Sequence, residues 1–159
     1  MVTCRVAAHH FTSPAKFIAE SARVLKAGAY FLLIDGSVPD DEPVAEEWLH
    51  RVEIARDPSH YRLLSPGAWS ALCEANGLIV QSAELHRFKQ PDLEWYFETA
   101  NTSAENRIRV RELVANAPVR ARELFRLGEE EGRIVWWWPR LTLIATRQNA
   151  VADRRVGAV

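Results

Sequence analysis

The chain is short of most features that announce a specialised architecture. It has only two cysteines, Cys4 and Cys73, far apart and in unrelated contexts. They make neither a disulfide framework nor a zinc knuckle, which points to a reducing, cytoplasmic setting. Its seven glycines, at positions 28, 36, 67, 77, 128, 132 and 157, nowhere form a G-x-G pattern. The sequence therefore lacks a glycine-rich turn of the kind that lets backbone approach a nucleotide. No apolar run nears the roughly 20 residues of a bilayer crossing, so no membrane span is expected. The opening stretch, MVTCRVAAHHFTSP, has no apolar core of a secretory leader. Twenty Lys and Arg face 21 Asp and Glu, a net charge of -1. That balance gives no global pull toward nucleic acid or an anionic membrane surface.

What is present is an ordinary globular composition, 48% hydrophobic and 26% charged, in 159 residues. That is enough for one packed domain. Six tryptophans are many for this length, and Trp136 to Trp138 are consecutive.

The pattern along the chain alternates strand and helix. Residues 2–8 read as a β-leaning stretch. Ser13-Pro14 reads as a helix cap with a first-turn proline. Phe17, Ile18, Ala22, Val24 and Leu25 then recur at helical spacing, and Gly28 closes the helix. Tyr30 to Ile34 is a continuous apolar run, as in a strand buried on both faces, closed by Asp35-Gly36. Together these make one βαβ unit. A helix is expected from about Pro43 to Ala55, with Val44, Trp48, Val52 and Ile54 inward. Ser65-Pro66 caps another that ends at Asn76-Gly77. Leu78 to Phe88 reads as a strand of mixed pattern. Three polar helical segments fill 91–132, and Ile134 to Thr146 is the last strand. Pro139 within it suggests an edge or a bulge. A tail, 148–159, shows no periodicity and is expected to be mobile.

Several residues are candidates for chemistry, each with a plainer reading beside it. Asp57, Ser59, His60 and Tyr61 form the richest polar cluster. His60 beside Asp57 and Tyr61 has the make-up of a proton acceptor, whereas Asp-Pro-Ser equally describes a turn bonded to its own backbone. Asp35 at a strand end is either a site carboxylate or a turn cap. His9 and His10, if adjacent on a strand, point to opposite faces and so do not pair on one ion. No metal site is expected. Trp95, Tyr96 and Phe97 either line a lid or form core.

Three stretches carry a resemblance. They are Val2 to Phe11 (VTCRVAAHHF), Phe17 to Asp35 with its core ESARVLKAG, and Trp69 to Leu78. In order and spacing they resemble the C-terminal half of a class I S-adenosylmethionine-dependent methyltransferase. The nearer similarity is to the small-molecule branch that includes quinone and sterol methyltransferases. The resemblance spans residues 2 to 147. It implies an α/β, Rossmann-like sheet of about four strands, the first two parallel and the last two antiparallel. The last strand would lie beside the second, and 91–132 would form a helical lid.

The same resemblance implies S-adenosylmethionine as the cofactor of the complete fold and a small, hydrophobic methyl acceptor. It sets Arg5 near the cofactor and His10, Asp35, Asp57 and Tyr61 near the acceptor, with His60 as the catalytic candidate. Arg5 has the alternative of pairing with Asp35. The family's cofactor grip lies in three earlier βα units, roughly 90 residues, whose motifs this sequence lacks. The chain is accordingly expected to bind the cofactor weakly and to be inactive alone. A non-enzymatic, dimerising or ligand-binding remnant of the fold is the alternative. Residues 2–8 would then be an uncovered edge, through which a homodimer is expected.

Overall fold

The two Ser-Pro pairs start helices as their chemistry requires. In the computed structural model, which describes residues 1–148, the Ser13 hydroxyl accepts from the Lys16 amide at the head of α1 (Pro14–Val24). The Ser65 hydroxyl accepts from the Ala68 amide at the head of α3 (Pro66–Ala75). Each satisfies an amide that a first helical turn leaves without a partner. Gly28 and Gly77 follow α1 and α3 at φ of 72° and 73°, where a side chain would be strained.

These helices separate strands of one mixed sheet. β1 (Val2–Arg5) lies parallel to β2 (Tyr30–Gly36), Val2 opposite Phe31 and Arg5 opposite Ile34. β3 (Leu78–Gln90) and β5 (Arg133–Arg147) are long and antiparallel, and β5 inserts between β2 and β3. The strand order is β1-β2-β5-β3, with β4 (Gly128–Glu130) added as a short hairpin on β5. This is the arrangement expected from the sequence, a parallel first pair and an antiparallel last pair.

Three details differ from that reading. β1 stops at Arg5 instead of residue 8, because Val6 turns to φ 50°. That is a disfavoured conformation for a β-branched residue. The bond from the Val6 amide to the Ile34 carbonyl, 2.8 Å, holds it there. The chain then makes a short 3-10 turn, Ala8–His10, so His9 and His10 lie on a turn and not on a strand. The second difference concerns Pro139, which sits in a central strand. Its carbonyl accepts from the Ser37 amide on the β2 side, just past the end of β2, so its nitrogen faces a place where no ladder bond is due. The bulge is instead in β3, where the register slips between Val80 and Ser82. Third, in α2 (Pro43–Arg56) Val44 and Ile54 are exposed. Ala45, Trp48, Leu49, Val52, Glu53 and Ala55 face inward.

Two apolar clusters divide the molecule. One joins α1 and α3 to a single face of the sheet, with Ile18, Phe31, Leu33, Trp69, Leu141 and Leu143 at its centre. The other lies under α2, α4 (Leu93–Glu98), α5 (Ala104–Ala115) and α6 (Val119–Leu124). Of these, α4, α5 and α6 occupy the region expected as a lid. Tyr96, Phe97 and Trp136 are core there, while Trp95 is exposed. The opposite face of the sheet carries the alternate residues Leu32, Ile34, Thr142 and Ile144, half-buried, and Tyr30, exposed. Residues 149–159, most of the stretch read as a mobile tail, lie outside the described residues.

Candidate functional site

The parallel pairing of β1 with β2 brings two strand ends together. Asp35, one residue before the end of β2, meets the turn that follows β1. It is almost fully buried and accepts three bonds. The His9 amide donates to Oδ2 at 2.9 Å, the Gly36 amide donates to Oδ1 at 2.8 Å, and His9 Nδ1 lies 2.6 Å from Oδ1. A carboxylate only accepts, so a hydrogen of the His9 ring is on Nδ1, and the neutral form of the ring has its lone pair on Nε2. Nε2 has no partner among the described residues. The result is an imidazole fixed in orientation and tautomer by a buried acid, the arrangement that prepares a general base.

Asp35 therefore works from behind His9. It does not pair with Arg5, which is exposed and makes no ion pair among the described residues. That alternative for Arg5 is corrected by the pairing of Asp35 with His9.

Three more histidines gather around His9. The ring centres of His9 and His10 are 4.1 Å apart, those of His9 and His60 5.5 Å, and those of His60 and His50 5.8 Å. The loop after α2 is laced onto the 3-10 turn. The amides of Tyr61 and Arg62 donate to the His9 carbonyl, and His10 Nδ1 lies 3.1 Å from both the Ser59 hydroxyl and the Ser59 carbonyl.

Asp57 accepts from the Ser59 amide and hydroxyl, at 2.9 and 2.7 Å, which is the turn reading of Asp-Pro-Ser. Burial raises its carboxyl, but the Ser59 bonds outweigh that and leave it below the ordinary aspartate range. His60 bonds to neither Asp57 nor Tyr61. Burial, then the charges of His9, His50 and His10, push its pKa down to about 3. His60 thus lacks the carboxylate partner that His9 has in Asp35. Tyr61 points its ring largely to solvent.

Sequence reasoning missed the His9–Asp35 pair. The signal was available, because a parallel strand pair with Arg5 opposite Ile34 must set residue 35 beside whatever follows β1.

An open groove of about 640 Å³ lies between α2 and α5, lined by Val44, Trp48, Arg51, Arg109 and Leu113. It touches none of these histidines, and its carboxylates Glu47 and Glu112 stand in it beside Arg51 and Arg109. The histidine cluster instead sits at the carboxyl ends of the parallel strands, where open α/β sheets bind ligands, and it is the candidate site. No set of three His, Cys, Asp or Glu side chains fit to hold a metal exists among the described residues. No described helix is long and apolar enough to cross a membrane.

Comparison with known proteins shows where the similarities lie. A family model described as a methyltransferase domain matches residues 1–33. The uncharacterized methyltransferase YcgJ of Bacillus subtilis is 44% identical over 84 residues, which are 53% of this chain and 33% of YcgJ. The solved structure of YcgJ superposes with a TM-score of 0.85 at 29% identity, covering 93% of this chain and 63% of that one. The Bacillus halodurans protein BH2331, solved as a candidate methyltransferase, gives 0.84 at 28% identity, covering 93% and 69%. This chain is similar to proteins named as methyltransferases, in sequence over about half its length and in fold over most of it. It has their Rossmann-like fold, and the stretch it shares with the curated relative spans about a third of that protein's length.

The family's cofactor is S-adenosylmethionine, and the described glycines offer it no cradle. A Cβ on Gly36 would meet Leu63 at 2.9 Å, and one on Gly67 would meet Asp40 at 2.7 Å. Both bare positions are filled by the protein's own side chains. Gly77 and Gly132 lie in turns and Gly128 begins β4, and a Cβ on any of the three would meet open space. The described residues do not fit the cofactor by themselves.

Proposed function

We propose that this chain is the acceptor-handling, C-terminal part of a methyltransferase for a small, hydrophobic molecule of the quinone or sterol kind, working in a reducing, cytoplasmic setting. The observation that carries the reading is the His9–Asp35 pair at the carboxyl ends of two parallel strands. In it His9 Nε2 takes the proton from the acceptor, Asp35 orients the imidazole, and the apolar α4–α6 region shields the acceptor from water. His10, Arg5, Asp57 and Tyr61 remain at the margins of that site, with Asp57 acting through Ser59 and His10.

On this reading the methyl donor is held elsewhere. Calorimetry of the 159-residue chain with S-adenosylmethionine is expected to show no tight binding. Micromolar, one-to-one binding would count against it. Methyl transfer is expected once the remainder of a relative such as YcgJ is supplied with this chain, and failure of every such pairing would remove the reading.

A second reading, a non-enzymatic dimerising or ligand-binding remnant of the fold, has one observation in its favour. The outer edge of β1 has no strand paired to it among the described residues, and Leu32, Ile34 and Ile144 are only half-buried. Unpaired strand edges and apolar faces invite association. Sedimentation of the pure chain is expected to show a homodimer joined along β1. A monomer at high concentration with residues 2–5 ordered would refute that pairing.

A further inference from the structure

Helices α2 and α5 turn residues outward that the fold does not use. On α2, Val44, Glu47, Arg51 and Ile54 follow one another at steps of three, four and three residues, so they share one face of the helix. Val44 is 53% exposed and Ile54 40%, and Glu47 and Arg51 are exposed with them. On α5, Arg109 and Glu112 stand one turn apart beside Ile108, which is 61% exposed. Glu47, Arg51, Arg109 and Glu112 all line the groove between the two helices. None of the four makes an ion pair among the described residues, although their neighbours do. Glu46 pairs with Arg62, and Arg107 and Arg111 pair with Glu94.

The two helices run antiparallel. The hydroxyl of Thr102, just ahead of α5, donates to the carbonyl of Arg56 at the end of α2, at 2.9 Å. Arg120, past the end of α5, donates to Glu42 at the head of α2, at 2.8 Å. Between those ends Trp48 Nε1 donates to the Leu113 carbonyl at 2.9 Å. Arg51 and Arg109 therefore share one end of the groove, and Glu47 and Glu112 share the other.

This layout complements itself when reversed. The α2 stripe reads apolar, acid, base, apolar, and from its other end apolar, base, acid, apolar. A second copy turned end for end sets Val44 against the partner's Ile54 and Glu47 against the partner's Arg51, and by symmetry each contact occurs twice. The same turn sets Arg109 against the partner's Glu112. Such reciprocal contacts define a two-fold interface, where one patch meets its own copy. A stripe of this kind selects another copy of itself over an unrelated partner.

We propose that the α2–α5 face is a dimer interface, on which a second copy of this chain packs antiparallel, α2 on the partner's α2 and α5 on the partner's α5. Its closure removes Val44, Ile54 and Ile108 from water and gives each of the four unpaired charges an opposite one. It is separate from pairing along β1, and it does not depend on the methyl-transfer reading.

Sedimentation of the 159-residue chain is expected to show a dimer that dissociates as sodium chloride is raised, since ion pairs near a surface are screened by salt. Glu47→Arg and Arg51→Glu each set like charges face to face across the two-fold axis. Each is expected to sediment as a monomer with an unchanged circular dichroism spectrum, as the positions are exposed. Arg109→Glu, on the other helix, is expected to dissociate the dimer likewise. An equal mixture of Glu47→Arg and Arg51→Glu is expected to dimerise again, because the all-basic stripe of one meets the all-acidic stripe of the other. The proposal is overturned if the unaltered chain is a monomer at high concentration, or if the mixture stays monomeric. It is overturned too if every variant keeps the dimer mass, which is the result expected of pairing along β1. None of these readouts involves cofactor or turnover.

Discussion

Replacing His9 with glutamine is expected to lower the rate of methyl transfer by roughly 10²–10⁴-fold, the usual worth of a positioned general base. The measurement is kcat of this chain reconstituted with the cofactor-binding remainder of a relative. Glutamine keeps much of the size of histidine and can still meet the Asp35 carboxylate, so the fold should survive. Asp35→Asn should act through His9. An asparagine amide no longer selects the tautomer with hydrogen on Nδ1, and the rate is expected to fall although Nε2 is still in place. It also weakens a residue that accepts three buried bonds, so a stability loss of about 1–3 kcal/mol should accompany it. A full rate in His9→Gln would return the pair to a structural role.

The largest expected effect on stability comes from Arg56. Its Nη1 lies 3.1 Å from Oε2 of the buried Glu53, its Nε donates to the Tyr96 carbonyl at 3.0 Å, and its guanidinium stacks 4.2 Å from the centre of the Tyr96 ring. The Tyr96 hydroxyl donates to the other oxygen of Glu53. This network ties the end of α2 to α4. Arg56→Met leaves Glu53 buried with no counter-charge, a situation that costs about 3–5 kcal/mol. At this chain length that is a fall in Tm of about 6–20 °C.

The pH dependence follows from Glu53. Burial raises its carboxyl above the ordinary value of 4.5, and Arg56 and Tyr96 only partly oppose the rise. The folded state therefore holds the Glu53 proton more tightly than the unfolded chain does. The stability Glu53 contributes is fully present below 4.5 and is lost as pH rises through its raised folded value. Without Arg56 the raise is larger. The deficit of Arg56→Met should therefore be greatest at neutral pH and shrink as the medium is acidified. Adding Glu53→Gln should recover part of the loss at neutral pH. Thermal melts of the two variants at several pH values check this, and a deficit that does not vary with pH would reject the account.

The fold was legible in the sequence wherever one residue type has one job. Ser13-Pro14, Ser65-Pro66, Gly28 and Asn76-Gly77 mark helix ends through their own hydrogen bonds and φ angles. The apolar run Tyr30 to Ile34 marks a strand. What was illegible depends on partners distant in sequence. The buried face of α2 includes a glutamate and two alanines, so its apolar stripe is weak, and Val44 and Ile54 stood out falsely. Glu53 is inward only because Arg56 and Tyr96 meet it there.

The mixed pattern of β3 has its cause in the slip at Gln81. Leu78 and Val80 face the α1–α3 side before it, and Ala83 and Leu85 face that side after it, so the alternation changes phase halfway. At the site, the polar residues were noticed, but their partnership was not. His9 and Asp35 are 26 positions apart and meet only because β1 lies parallel to β2.

The strand order has a consequence for how the molecule is made. β5 lies between β2 and β3 yet is the last of the described strands in the chain. During synthesis β2 and β3 both emerge before the strand that joins them, each with an apolar edge lacking its neighbour. Open edges of this kind are where nascent chains misassociate. Helices α4 to α6 are translated in the same interval, and their aromatic cluster awaits Trp136 from the same late strand. A ribosome that stalls just before residue 133 would therefore hold two half-sheets and an uncored helical cluster at once. The abundance of this protein in cells should depend more on chaperones than its small size suggests.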